Sequence, residues 1–264
     1  MKARSLVTAW AVVGLLCLST VVWAGQGCDT QAIDLASISR GMALAQATAK
    51  ALDASKADVV ILARAGQDLS RWNVSWSHLG FAYREPDGRW RVMHKLNECG
   101  TDRAAVYRQG LGEFFLDQPY RYEAAFAVPT PLAQQRLLPV LRDNTRATQW
   151  HAQRYNMLAY PWATRYQQSN QWATETLAGV LEPAAQTRRQ AQAWLELQDY
   201  RPAVLAIGPL TRLGARATSA NIAFDDQPNE KRFAGRIETV TADSVFAWLQ
   251  RSGLASAPVT VRAP

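Results

Sequence analysis

The chain has 264 residues, 48% hydrophobic and 19% charged, with 15 Gly and 12 Pro. That balance supports a sizeable buried core and excludes a disordered chain, a collagen-like repeat and a small disulfide scaffold. The formal charge is +7; without Lys2 and Arg4, which sit in an export leader, it is about +5, too mild an excess for a nucleic-acid-binding footprint.

Residues 1–24 combine Lys2 and Arg4, an apolar run over 6–22 and Val22-Trp23-Ala24. This is the layout of a secretory signal peptide cleaved after Ala24. The alternative is an uncleaved anchor, because the run is close to the shortest length that spans a bilayer. Cys17 follows Leu15-Leu16 rather than a small residue, which argues against a lipoprotein acceptor. The expectation is a periplasmic protein with one domain over 25–264 and no transmembrane helix after cleavage. Its two remaining cysteines, Cys28 and Cys99, fit one disulfide, because oxidants outside the cytoplasm drive thiols to pair. No Cys-x-x-Cys or His-x-x-x-His spacing occurs among them and His78, His94 and His151, so neither a metal nor another cofactor is expected.

Leu35, Ile38, Met42, Ala45 and Ala49 recur at spacings of three and four, which predicts a long helix over 29–55. The β-branched run 59–63 reads as a buried strand that ends at Gly66. A hairpin follows, with strands over 74–83 and 89–96 around Glu85-Pro86-Asp87-Gly88. Pro presets the first turn dihedral and Gly takes the left-handed position. A three-residue loop sets Glu85 opposite Arg89. His78 then faces Leu96 and His94 faces Gly80, so both imidazoles leave the same side of the ribbon as diagonal neighbours, about 7–8 Å apart at the backbone. Residues 100–121 read as irregular and 121–128 as a strand. Helices are expected over 132–141, 169–181, 186–197 and 243–251. Between them, 144–168 is aromatic without a period, a composition that suits the wall of a site, and 206–235 reads as a surface excursion.

Two imidazoles on one face supply a base and a group that orients it. Around them, Ser77-His78-Leu79-Gly80-Phe81-Ala82-Tyr83, the Asp87-Gly88 turn and Val92-Met93-His94-Lys95-Leu96 resemble the paired-His hairpin of the permuted papain-like (NlpC-type) proteins, which include the lecithin retinol acyltransferase group. In that group a later helix opens with the nucleophilic Cys of an Asn-Cys-x-His-aromatic motif. The similar segment here is Gln168-Ser169-Asn170-Gln171-Trp172, with Ser169 in the Cys position and Gln171 in the following His position. The resemblance covers 59–100 and 155–181. The chain also resembles a bacterial family of exported proteins without an assigned activity, which shares the Ser-His-Leu-Gly hairpin and the Ser-Asn-Gln-Trp helix start.

The resemblance implies an α+β fold of permuted papain-like architecture, an antiparallel sheet of about five strands packed on the helix at 169–181, with extra helices at both ends. It implies a cleft in which His78 is the general base, His94 its orienter and Ser169 the nucleophile, the hydroxyl lying about 2.6–3.2 Å from the base. Asn170, Gln171, Trp172 and Tyr166 are the candidate binding residues beside it, although Trp and Tyr also serve as core. Ser169 or Asn170 alternatively caps the helix, and Glu175 reads as a solvated carboxylate. Two functions are compatible with these residues. One is a hydrolase or acyl/amide transferase acting on peptide or lipid material of the envelope. The other, favoured because the Cys has changed, is a non-catalytic module that binds an envelope ligand or protein.

Overall fold

A computed structural model describes residues 34–117 and 119–263; the expected leader and Cys28 lie outside the described residues. The first helix, α1 (Leu35–Ser55), begins where Asp34 accepts from the Ser37 amide and stops at Lys56, which adopts φ 58°. Strand β1 (Val59–Arg64) follows and is buried along its whole length. The hairpin strands are β2 (His78–Arg84) and β3 (Trp90–Asn97). Their turn closes as the sequence requires: Gly88 takes φ 85°, and the Glu85 amide donates to the Arg89 carbonyl at 2.8 Å. The register that pairs Phe81 with Met93 and Arg84 with Trp90 is the one expected.

The stretch 100–121, read as irregular, contains β4 (Ala104–Gly110) and the short helix α2 (Leu111–Phe115). Strand β4 carries exposed Tyr107 and Arg108 and half-buried Gln109, and as an edge strand it lacks a clean apolar alternation. Beyond it come β5 (Glu123–Ala127), α3 (Pro131–Leu141), α4 (Asn144–Ala147), α5 (Ser169–Leu181) and α6 (Arg188–Leu197). The excursion 206–235 is part of an ordered unit: β6 (Ala203–Ala206), α7 (Pro209–Thr218), α8 (Asn229–Phe233) and β7 (Arg236–Thr239). The chain closes with α9 (Ala242–Arg251) and β8 (Val259–Arg262).

The fold is α+β. Six antiparallel strands run in the order β4-β3-β2-β1-β5-β8, one more than expected, and β6 and β7 form a separate ribbon. Strand alternation sorts the core into two layers. Val60, Leu62, Ala82 and Val92 point to one face and pack with Leu44 and Leu52 of α1 and with Phe114 and Phe115 of α2. Val59, Ile61, Phe81 and Met93 point to the other and pack with Leu137 of α3, Trp172 and Leu177 of α5 and Trp248 of α9. The sheet is thus covered on both sides, so its central strand reads as an unbroken apolar run. A third cluster, Val74, Leu205, Ile207, Ile222, Phe224 and Ile237, seats the β6–β7 unit.

Candidate functional site

His78 and His94 share parity with Ala82 and Val92, so both rings enter the layer beneath α1 and α2. Their nitrogens meet directly, His78 Nε2 to His94 Nδ1 at 2.8 Å. On β4, Gln109 sits opposite Val92, and its Oε1 lies 2.8 Å from His94 Nε2. The amide oxygen can only accept, which places the proton of His94 on Nε2 and leaves its Nδ1 as an acceptor. His78 must then donate from Nε2, and its lone pair falls on Nδ1. Among the described residues nothing bonds that nitrogen, and His78 keeps 8% of its surface exposed. The order Gln109, His94, His78 is therefore a chain of hydrogen bonds ending in an unprotonated nitrogen.

Close strand contact makes the pair possible. A Cβ at Gly80 would stand 2.8 Å from His94 Cβ and 2.9 Å from the Met93 carbonyl. The Gly of the Ser-His-Leu-Gly segment is thus the residue that lets β3 bring His94 close against β2.

Arg64 pairs with His78 across β1 and β2 and occupies the same layer, 4% exposed. Its guanidinium stacks on Phe114 at 4.7 Å, forms an ion pair with Asp117 and donates to the Phe114 carbonyl. Its Nε is buried without a partner. The Phe114 ring also meets His94 edge-on at 5.1 Å. Burial first, and the Arg64 charge second, push both imidazoles down, His94 to about 3 and His78 well below the ordinary 6.5. Both are neutral at pH 7. Sequence reading missed Arg64, Gln109, Phe114 and Asp117. Arg64 had a visible signal, since it continues the Val60, Leu62 alternation into the His face; the others fall in the stretch read as irregular.

The expected contact between Ser169 and His78 is absent. Helix α5 packs on the opposite face of the sheet, where Trp172 meets Phe81 edge-on at 5.9 Å. Phe81 is odd-numbered on β2 and His78 even, so period-two alternation sends them to opposite sides. The capping expectation also needs correction. Gln168 is the N-cap, its side chain accepting from the Asn170 amide at 2.9 Å, and Ser169 is the first helical residue. Ser169 is buried beside Tyr155, whose phenol burial pushes up while the Ser169 hydroxyl and backbone pull it down.

The proposed binding residues are likewise enclosed. Asn170 Nδ2 donates to the Val240 carbonyl at 3.3 Å and Gln171 Nε2 to the Pro161 carbonyl at 3.2 Å. Trp172 lies in the core, with Nε1 donating to the Ala147 carbonyl at 3.3 Å. The Tyr166 hydroxyl donates to Asp225 at 3.3 Å. None of the four lines an open groove.

Glu175, read as solvated, is 1% exposed. It accepts from Arg188 Nε at 2.7 Å, from Gln167 at 2.5 Å and from Gln192 at 2.6 Å. Gln167 in turn accepts from Lys95 Nζ at 2.8 Å. Lys95 is fully buried, and burial together with Arg188 pushes its ammonium down to about 6. Cys99 is disulfide-bonded, and its partner lies outside the described residues. Among the described residues no cluster of His, Cys, Asp and Glu is placed to hold a metal ion, and no helix is long and apolar enough to cross a membrane.

Residues 51–249 match the family described as an uncharacterized protein conserved in bacteria (DUF2145). Neither the curated proteins nor the solved structures contain a match to the chain.

Proposed function

The chain belongs to this bacterial family, and we propose that it is an exported, non-catalytic binding or assembly module of the envelope that retains part of a permuted papain-like plan. The plan is supported by element order, a paired-His hairpin followed by a helix lying against the same strands. It is not supported by convergence of the two on one cleft, so the likeness extends to order and not to a catalytic triad.

One observation carries the non-catalytic reading. The hydroxyl in the nucleophile position and the imidazole that would activate it lie on opposite faces of a six-stranded sheet. A serine attacks only when a base within about 3 Å takes its proton. No side-chain rotation brings Ser169 through the sheet to His78. A serine-directed fluorophosphonate is the direct test. The expected result is no labelling of Ser169 beside a working control hydrolase; labelling there refutes the proposal. Export is tested by fractionation and N-terminal sequencing, with Gly25 as the expected first residue, and retention in the cytoplasm refutes it.

A second reading has one observation in its favour. The Gln109–His94–His78 chain presents a neutral, oriented lone pair, which is what a general base needs. This reading makes the protein a hydrolase or acyl/amide transferase on peptide or lipid substrates in which His78 activates water or a substrate hydroxyl, without Ser169. Turnover of model peptides or esters that His78→Ala abolishes and Ser169→Ala leaves intact would establish it in place of the first.

A further inference from the structure

Helix α7 buries none of its residues: Arg212 and Ala215 are half-buried, and the others, leucines included, are exposed. Leu210 and Leu213, one turn apart, are 84% and 69% exposed. Phe233, closing α8, is 71% exposed. Leu210 and Phe233 leave the same end of the β6–β7 ribbon, where the Ile207 amide donates to the Gly235 carbonyl at 2.9 Å. Packing normally places such apolar groups inward.

Charge around these tips is mostly positive, with Glu230 on α8 as the exception. Arg212, Arg216, Arg232 and Arg236 have no carboxylate partner among the described residues. Arg212 and Arg232 are steadied by the carbonyls of Ile207 at 2.9 Å and Phe224 at 3.1 Å, which fixes their position and leaves their charge. Helix α7 contains no acidic residue.

We infer that this unit is a docking surface for an anionic bilayer, with Leu210, Leu213 and Phe233 entering the headgroup–acyl boundary and the exposed Arg216 and Arg236 meeting the lipid phosphates. A membrane interface accepts isolated apolar tips without a complementary pocket and rewards flanking cations. A second copy of the chain fits worse, because a two-fold contact on this patch sets its arginines against themselves. The inference is independent of the imidazole site.

The test is sedimentation of the protein, as isolated from the cell envelope, with vesicles of phosphatidylglycerol and phosphatidylethanolamine, and with phosphatidylcholine vesicles. The variants are Leu210→Asp with Leu213→Asp, Phe233→Asp alone, and Arg216→Glu with Arg236→Glu. All change exposed side chains, and each is compared with wild type for its thermal melt. All share the wild-type N-terminus, so differences in binding report on this surface. The expected result is binding to the anionic vesicles, weakened about tenfold or more by the leucine pair, weakened by the Phe233 and arginine changes, and reduced by salt. Equal binding by wild type and leucine variant overturns the inference, as does equal binding to phosphatidylcholine. Lack of vesicle binding together with a concentration-dependent dimer that the leucine changes dissolve assigns the patch to self-association and also overturns it. Lack of vesicle binding by a monomer leaves the patch to an acidic protein partner and overturns it equally.

Discussion

Acidification should weaken the fold through the imidazole pair, by an amount that follows from its environment. His94 is fully buried, and its folded pKa is about 3 against an ordinary 6.5. The native protein therefore binds a proton at His94 far less readily than the unfolded chain does. Its contribution to stability is fully present above pH 6.5 and is lost as the pH falls toward 3. Each pH unit in that window costs about 1.4 kcal/mol, so at pH 5 the loss is about 2 kcal/mol. His78, held below 6.5 by burial, Arg64 and His94, acts in the same direction. Domain stabilities are about 5–15 kcal/mol, so a change of this size is readily measured. The assay is urea unfolding at pH 7, 6 and 5, comparing wild type with His94→Gln. The glutamine keeps an amide oxygen for His78 Nε2 and cannot take up a proton. Other titrating groups, such as Asp226, whose carboxyl burial pushes up to about 6, are common to both proteins. Wild type should lose about 2 kcal/mol more than the variant between pH 7 and 5. Parallel stability curves would refute the neutral, buried state of the pair.

Further expectations concern the residues around it. Gly80→Ala forces a methyl group against His94 Cβ and the Met93 backbone; it should cost about 1–3 kcal/mol and shift the His94 ring resonances, and an unchanged urea midpoint would contradict the close approach. Glu175→Ala strips the carboxylate from Arg188, Gln167 and Gln192 and leaves the largely buried Arg188 cation uncompensated. A loss of about 3–5 kcal/mol is expected, and one under about 1 kcal/mol would mean that solvent reaches this network. Peptide mapping without reductant should join Cys99 to Cys28. That crosslink closes a loop long enough for its reduction to cost about 4 kcal/mol, while recovery of two free thiols would refute the pairing.

The sequence by itself determined what local chemistry controls. Pro86 and Gly88 set the turn, the turn set the register, and the register placed His78 and His94 on one side of the ribbon, as found. The apolar periods read over 29–55, 132–141 and 169–181 find α1, α3 and α5, with the start of α1 later than expected, at Leu35, because these helices bury apolar faces against the sheet. Edge strand β4 and the short helix α2 escaped, since half-exposed residues at an edge need no alternation and five residues carry no period. Only the tertiary structure decided which face of the sheet each helix covers. Alternation separates Phe81 from His78 without stating which side α5 will take; that depends on how α1, α3, α5 and α9 share the two apolar faces, a contest among groups far apart in the chain. The same contest buried Glu175, whose charge reads as solvent-facing until Gln167, Arg188 and Gln192 converge on it, and drew Lys95 onto Gln167.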